Sequence, residues 1–460
     1  MKPVVLLAAV AAAVSLPSAA SWSSARAAKP VVCAECVQAN LQHLASDALR
    51  GRACGTEDEH AAAHFVADTL KRYKIAPAAG PDSYLAPVWL HTPTAAAPPK
   101  LTVTAGPDAV TLTQGQEMIA LDPPVSADGP LVTVVDAKAA GDVKGKVVLY
   151  DSPIFDPPGV QALRQAGAVA VIAPANDPLL ARWGQLAQRP PGRTRISGVE
   201  SGRPPLGTLI YARAEAIAAL RKLPPAQARL DAPQGPPRER TTYVVLGVLH
   251  GAAPDADRHA ILLSAHYDHL GVRNGVIFHG ANDDASGTAA VLEFARILGS
   301  GKTPRRTAYF ALFGCEEEGG LAARAFMAHP PMALSDLAAN LEFEMIGVDD
   351  PKHPGFLMLT GWDRSNLGPT LAEHGARIVP DPYPEQDFFA RSDNYQLALK
   401  GVVAQTISAW PIPPTYHAAS DDLAHVDLKL MDQVIGSMVA PVTWLLDSDF
   451  QPAWNPGKKP

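Results

Sequence analysis

The sequence predicts an α/β protein: a mixed, mostly parallel sheet with helices on both faces, plus a smaller inserted α/β domain. Two observations carry this. Beyond Thr241, short apolar runs that read as strands alternate with segments of helical periodicity, and apolar strands of this kind imply a sheet covered on both faces. Residues 130–223 repeat the alternation on a smaller scale between Pro-rich borders, the mark of a unit inserted into a larger one.

The elements follow in order. Lys2 precedes "VVLLAAVAAAVSL", and small residues lead to "ARA" at 25–27. This is the layout of a secretory signal peptide over residues 1–27, cleaved after Ala27 or, as a second choice, Ala20; the run is too short and wrongly flanked for a membrane span. No other stretch is apolar for long enough to cross a bilayer, so the expectation is a secreted or periplasmic protein. Residues 28–125 should open the main domain. Val37 to Leu49 and Glu57 to Tyr73 have helical periodicity, with Thr56 as a cap, and a Pro-rich, less patterned zone follows from Ala86.

The inserted domain is expected over 126–235. Its strands are "PLVTVVD", "KGKVVLYDS", "VAVIAPA" and Thr208 to Tyr211, its helices "GVQALRQAGA" and Ala212 to Leu223, and "PPAQARLDAPQGPPRER" reads as the linker out. Residues 236–450 then complete the main domain. "TTYVVLGVLHG", "AILLSAHYDHLG", "RTAYFALFG", "ANLEFEMIG", "FLMLTG" and "VVAQTISA" read as strands. Helices are predicted from about Ser286 to Leu298, Leu321 to Ala328, Ser365 to His374 and Lys429 to Leu446.

Composition narrows the function. The chain has 460 residues, 47% of them hydrophobic, enough for more than one compact unit. A net charge of −7 without a long basic tract excludes nucleic acid as a partner. Export permits disulfides, and among four cysteines a bridge from Cys54 to Cys33 or Cys36 is expected, with Cys315 a buried thiol. Cys33-x-x-Cys36 is half a zinc site without its other half.

The chemistry sits at strand ends, where ligands bind in open α/β sheets. "AILLSAHYDHLG" ends with His266, Asp268 and His269; "HGANDDASG" places Asp283 and Asp284 at a helix start; the next strand runs into Glu316, Glu317 and Glu318. "ANLEFEMIG" carries Glu342 and Glu344, and "PTYHAASDD" offers His417 in a loop. Each alone is an ordinary cap, edge or loop residue. Together they converge on one edge of one sheet, and two histidines with three carboxylates suit zinc. The acidic run then has its missing positive charge in metal ions.

In order, the "AHYDH", "GANDDASG", "CEEEGG", "FEMIG" and "YHAASDD" blocks resemble the metal-site blocks of the secreted M28 family of zinc metallopeptidases, and "LASDALRGRACGTEDEHAAAHFVADTLKRYKI" resembles its N-terminal lead-in. "DVKGKVVLYDS" and "RQAGAVAVI" look like the protease-associated domain often inserted in such enzymes. The resemblance implies a zinc-peptidase-like (phosphorylase/hydrolase-like) fold and two Zn2+ ions bridged by Asp283. Glu317 and His417 would complete one metal, His266 and Glu344 the other. Glu316 would be the general base, Asp268 would orient His266 from behind, and Asp284 would belong to the turn that aims Asp283. Glu318 is expected to be solvated. Two positions depart from the family pattern: Glu344 stands for the usual Asp, and Asn394 stands where His is common.

The implied activity is that of a metallo-aminopeptidase acting on peptides with a free N-terminus. A glutamate-carboxypeptidase-like enzyme would need a basic cluster at the site, whereas "PRR" at 304–306 precedes its strand. A glutaminyl-cyclase-like enzyme works with one zinc, and a catalytically silent receptor or binding protein would have lost ligands or base. N-terminal sequencing of exported protein is expected to read from Ala28; a start at Met1 would contradict the signal assignment.

Overall fold

The computed structural model describes residue 1 and residues 31–121, 124–189, 192–199 and 206–460. The expected signal segment, apart from Met1, and its cleavage site lie outside the described residues. Five strands define the site: β1 (Gln234–Leu249), β2 (Ala260–His266), β3 (Ala308–Phe313), β4 (Leu337–Phe343) and β5 (Val403–Ser408). They lie in a ten-stranded sheet in the order β5-β4-β2-β3-β1. β3, β2, β4 and β5 run parallel to one another, while β1 is antiparallel to β3 and to Leu85–Ala95, and Leu357–Leu359 is antiparallel to β5. The sheet is therefore parallel at its centre and antiparallel at its flanks.

β3 lies on one side of β2 and β4 on the other, so the strand order reverses at β2. The crevice beyond the carboxyl ends of strands at such a reversal is where ligands bind in α/β sheets.

Helices cover both faces. Ala34–Leu44, Glu57–Arg72, Gly287–Ser300 and Leu428–Asp447 pack on one, against Ile261, Leu263 and Ala265 of β2. Leu321–Ala328 and Asn394–Leu399 pack on the other, against Ala260 and Leu262. The alternation along β2 is that of any strand, and burial on both sides is why it reads as a continuous apolar run. Thr56 caps its helix as expected, accepting from the Glu59 N–H at 3.3 Å, while the Glu59 carboxylate accepts from the Gly55 N–H at 2.6 Å.

The Pro-rich stretches hold more strand than expected. Leu85–Ala95 pairs with β1 despite Pro87 and Pro93, because its other neighbour is only the two-residue strand Arg195–Ile196 and few N–H groups are needed on that side. The expected linker 224–240 forms the strand Ala226–Asp231 and the first half of β1, where a register shift between Gly235 and Arg238 takes up Pro236 and Pro237. The smaller sheet has eight strands and its own apolar core. It draws Lys100–Ala105, Asp108–Thr113 and Met118–Leu121 from upstream of position 126, the boundary the sequence suggested.

The cysteines pair otherwise than expected: Cys33 with Cys36, and Cys54 with Cys315. Proximity in sequence misleads here, because the turn before Glu57–Arg72 lies against the end of β3, bringing together cysteines 261 residues apart. Both Cys54 and Cys315 are buried. Peptide mapping without reduction should recover both pairs and no free thiol. Replacing Cys54 and Cys315 together by Ser should cost about 2–5 kcal/mol of stability, read from denaturant unfolding. A free Cys315 thiol would contradict the pairing.

Candidate metal centre

The parallel register sets the site. His266 pairs with Phe313, and Phe343 with Ile407, so the carboxyl ends of β2 to β5 are level. His266 ends β2. After β3, Cys315 takes a left-handed conformation (φ 56°), and Glu316 to Gly320 turn into the helix Leu321–Ala328. Glu344 follows β4 directly, and His417 comes from the loop after β5. Asp283 lies in the turn Ala281–Ser286 before the helix Gly287–Ser300, and the Asp283–Asp284 peptide is cis. A Cβ at Gly287 would lie 2.3 Å from the Phe343 carbonyl oxygen, so the glycine of "DDASG" lets this turn close on β4.

Two donor groups meet at Asp283. His266 Nε2 lies 3.3 Å from Asp283 Oδ1, and Glu344 offers an oxygen within 4.8 Å of ligand atoms of both. Through its other oxygen, Asp283 Oδ2 lies 3.3 Å from His417 Nε2, which is 3.1 Å from Glu317 Oε2. All five predicted ligands are thus brought together around Asp283. A sixth residue joins them. His269 Nδ1 is 2.8 Å from Glu317 Oε1 and 3.8 Å from Asp283 Oδ2.

These close approaches are not hydrogen bonds. Both ring nitrogens of His266, both of His269 and Oε1 of Glu317 are buried without a hydrogen-bond partner. Buried polar atoms are seldom left so. Imidazole nitrogens and carboxylate oxygens that crowd to about 3 Å without sharing a proton direct their lone pairs at common points between them. That is a cation-binding donor set, and its chemistry, imidazole with carboxylate, suits zinc.

Other residues hold this set in place. Asp284 accepts from the Met345 N–H at 2.9 Å and the Gly287 N–H at 3.3 Å, fastening the Asp283 turn to the end of β4. Asp421 accepts from the Asn282 and Asp283 N–H groups at 2.8 and 3.0 Å. Asp268 faces His266 Nδ1 at 3.6 Å, but its hydrogen bonds come from the backbone N–H groups of Glu316 (2.9 Å) and Glu317 (3.3 Å). It therefore aims the paired glutamates as much as the histidine. Arg52, fully buried, donates to the carbonyls of Leu44, Tyr267, His279 and Gly280, clamping the loops on either side of Asp283.

Two positions gain contacts that the sequence did not reveal. Glu318 is exposed, as expected, but it is also partnered: it forms a two-pronged ion pair with Arg240 at 2.7 and 2.8 Å and accepts from Thr194 at 3.0 Å. Asn394 does not approach the ligands; its side chain donates to the carbonyls of Phe389 and Ala404, and its N–H donates to Glu342 behind the site. Arg52 and Asp421 were not singled out by sequence reading, and His269 was named at its strand end but given no role. "YHAASDD" contains Asp421, and "AHYDH" contains His269, so both lay inside the quoted blocks.

Burial dominates the electrostatics. It pushes the Glu316, Glu342 and Asp284 carboxyls well above the usual range, and Asp393 up to about 8. Asp283 goes the other way: burial opposes its ionisation, but His266, His417 and His269 outweigh it and hold it far below the ordinary value. His417, against the effect of burial, is raised to about 9 by Asp283 and Glu317.

The family model for peptidase family M28 matches residues 245–442. Among curated proteins, a vacuolar membrane protease of Candida dubliniensis is 39% identical over 188 residues, 40% of this chain and 19% of its own. The chain thus spans about a fifth of that relative's length. Among solved structures, the aminopeptidase from Aneurinibacillus sp. strain AM-1 superposes with a TM-score of 0.57 at 20% identity, covering 93% of this chain and 96% of its own. BSAP, a zinc aminopeptidase from Bacillus subtilis, gives 0.51 at 19%, covering 92% and 97%. Both likenesses are likenesses of fold.

Asp421 supplies a test of the scaffold. Asp421→Ala strips two N–H acceptors from the Asp283 turn and should weaken divalent-metal affinity by about 10- to 100-fold, measured by chelator competition on protein shown to be folded by circular dichroism. Unchanged affinity would mean that Asp283 is aimed without it.

Proposed function

We propose, from the match of residues 245–442 to the model of peptidase family M28, that the protein is a member of that family and an exported dinuclear zinc aminopeptidase, removing N-terminal residues from peptides. One observation carries the reading: His266, His269, His417, Glu317 and Glu344 converge on Asp283, and among the described residues the ring nitrogens of His266 and His269 and Oε1 of Glu317 are buried without a hydrogen-bond partner. Asp283 would bridge, His266 and Glu344 would complete one zinc, and Glu317 and His417 the other, with His269 beside the second. Glu344, one methylene longer than the Asp of the family pattern, still lies within reach of His266 and Asp283.

Bound there, the two ions would supply Lewis-acid polarisation of the scissile carbonyl and acidify a water. The chain's own part is positioning and proton transfer. Glu316 would take a proton from the attacking water and pass it to the departing amine. Its burial, which raises proton affinity, suits a group that must first accept and then donate. Asp268, by accepting from both glutamate N–H groups, would fix which carboxylate faces the metals and which faces the substrate.

Substrate geometry supports an exopeptidase. Beside Glu344 lies a cavity of about 40 Å³ bordered by Thr360, Arg391, Ser392 and Tyr416, room for one small side chain and no further peptide. A free amino group held among Glu344 and its neighbours would place the first peptide bond at the metals. We take residues 100–231 as the protease-associated domain. No helix among the described residues is long and apolar enough to cross a membrane, and export is proposed on the N-terminal segment.

Zinc content and turnover of two variants, side by side, test the assignment. Glu316→Gln should keep both metals and substrate binding while turnover falls by about a hundred- to ten-thousand-fold. Glu317→Ala should lose one zinc. Aminoacyl-anilides should be cleaved and their N-acetylated forms spared. If Glu316→Gln loses metal while Glu317→Ala keeps it, the roles are exchanged; cleavage of N-acetylated substrates would overturn the aminopeptidase reading.

A further inference from the structure

A second and much larger cavity, about 860 Å³, borders the candidate metal centre at Glu317, where the small cavity borders it at Glu344. Five arginines line it: Arg189, Arg193, Arg238, Arg240 and Arg324. They come from three parts of the fold. Arg238 and Arg240 lie on β1, two residues apart and therefore on one face, while Glu239 between them points away. Arg324 is on the helix after the paired glutamates, and Arg189 and Arg193 come from the smaller domain's excursion.

The two carboxylates in the wall do not neutralise this set. Glu317 faces the metal ligands, and Glu318 is taken up by Arg240. Among the described residues, Arg189, Arg193 and Arg324 have no carboxylate partner, and Arg238 shares Glu318 with Arg240 at longer range, without an ion pair of its own. The Glu318–Arg240 pair, with Thr194 bonded to both side chains, ties the rim carrying Arg193 to the base of the cavity. Five guanidinium groups in one concave wall, with Glu318 as the one carboxylate that two of them share, repel one another, which an ordinary solvated surface would avoid by interspersing acids. Such a wall focuses positive potential and raises the local concentration of anions.

We infer that this cavity receives the leaving portion of the substrate, and that the preferred substrates are peptides bearing Asp or Glu in the first few positions after the scissile bond. The inference rests on the aminopeptidase reading. The small cavity beside Glu344 has room for one small side chain, so the larger cavity at Glu317 would take the rest of the peptide. Guanidinium groups fork onto carboxylates with two parallel hydrogen bonds, which makes arginine the residue suited to this recognition. The cavity is open and its lining nearly free of large apolar side chains, so charge rather than apolar burial must supply selectivity there.

The test compares amidated peptides that share one N-terminal residue and differ only in whether the next three positions are neutral or acidic. Amidation removes the terminal carboxylate, so only side chains are read. With zinc-loaded enzyme at low ionic strength, kcat/KM should favour the acidic peptide by at least about tenfold, chiefly through KM. The preference should shrink towards unity in about 1 M salt, where the screening length is about 3 Å. In Arg238→Ala/Arg324→Ala, the acidic-to-neutral ratio should collapse. Binding of the acidic peptide to Glu316→Gln, followed by fluorescence anisotropy, should show the same salt dependence without turnover. Equal rates for both peptides, or a preference that survives both salt and the arginine substitutions, would overturn the inference and leave the aminopeptidase reading standing. No cleavage of any free-amine peptide or anilide would overturn that reading instead.

Discussion

The repulsion among buried carboxylates governs the rest of the molecule. Asp268, Asp283, Asp284, Glu342, Asp393 and Asp421 are buried at one sheet edge, with Glu316, Glu317 and Glu344 beside them. Unpaired charges in such a place cost several kcal/mol each. The fold answers in two ways. Backbone N–H groups and Arg52 satisfy the carboxylates and loops that serve as scaffold. The imidazoles of His266 and His269 and Oε1 of Glu317 receive no such partners, and with Asp283 and Glu344 they form the groups that could hold cations.

This division shows how scaffold and function share one edge. Four parallel strands of matched register deliver His266, the glutamate pair and Glu344 at one level, and the reversal of strand order at β2 opens the space between them. The disulfide from Cys54 to Cys315 fastens the helical lead-in to the residue before Glu316, so the same turn that carries the glutamates is tied covalently to the N-terminal segment. The cavity beside Glu344 and the one beside Glu317 differ in size and charge, which on the proposed reading would give a bound peptide a direction.

Much of this was legible in the sequence, for a physical reason. Metal ligands at strand ends are short, local patterns: an apolar run fixes the strand, and the polar residues just past it must lie at its end. Hence His266, Asp283, Glu316, Glu317, Glu344 and His417 could be placed before any coordinates. Residues acting through tertiary contact could not. Arg52 is an ordinary arginine until the loops of His279 and Gly280 close over it, and Asp421 needs the loop after β5 to meet the Asp283 turn. The disulfides failed for the same reason, since Cys54 and Cys315 meet only through packing. Prolines concealed the strands Leu85–Ala95 and Ala226–Asp231 and the first half of β1, because a strand bordering a short neighbour or carrying a register shift tolerates them while a sequence pattern does not reveal which it is. The ion pair of the exposed Glu318 was not legible because its partner, Arg240, lies 78 residues away on another strand.

Diffraction from crystals of the zinc-loaded protein, collected on either side of the zinc absorption edge, tests the central claim most directly. Two anomalous peaks are predicted, each about 2.0–2.2 Å from a different oxygen of Asp283. One should be shared with His266 and Glu344, and the other with Glu317 and His417. A single peak, or zinc bound away from Asp283, would contradict the account.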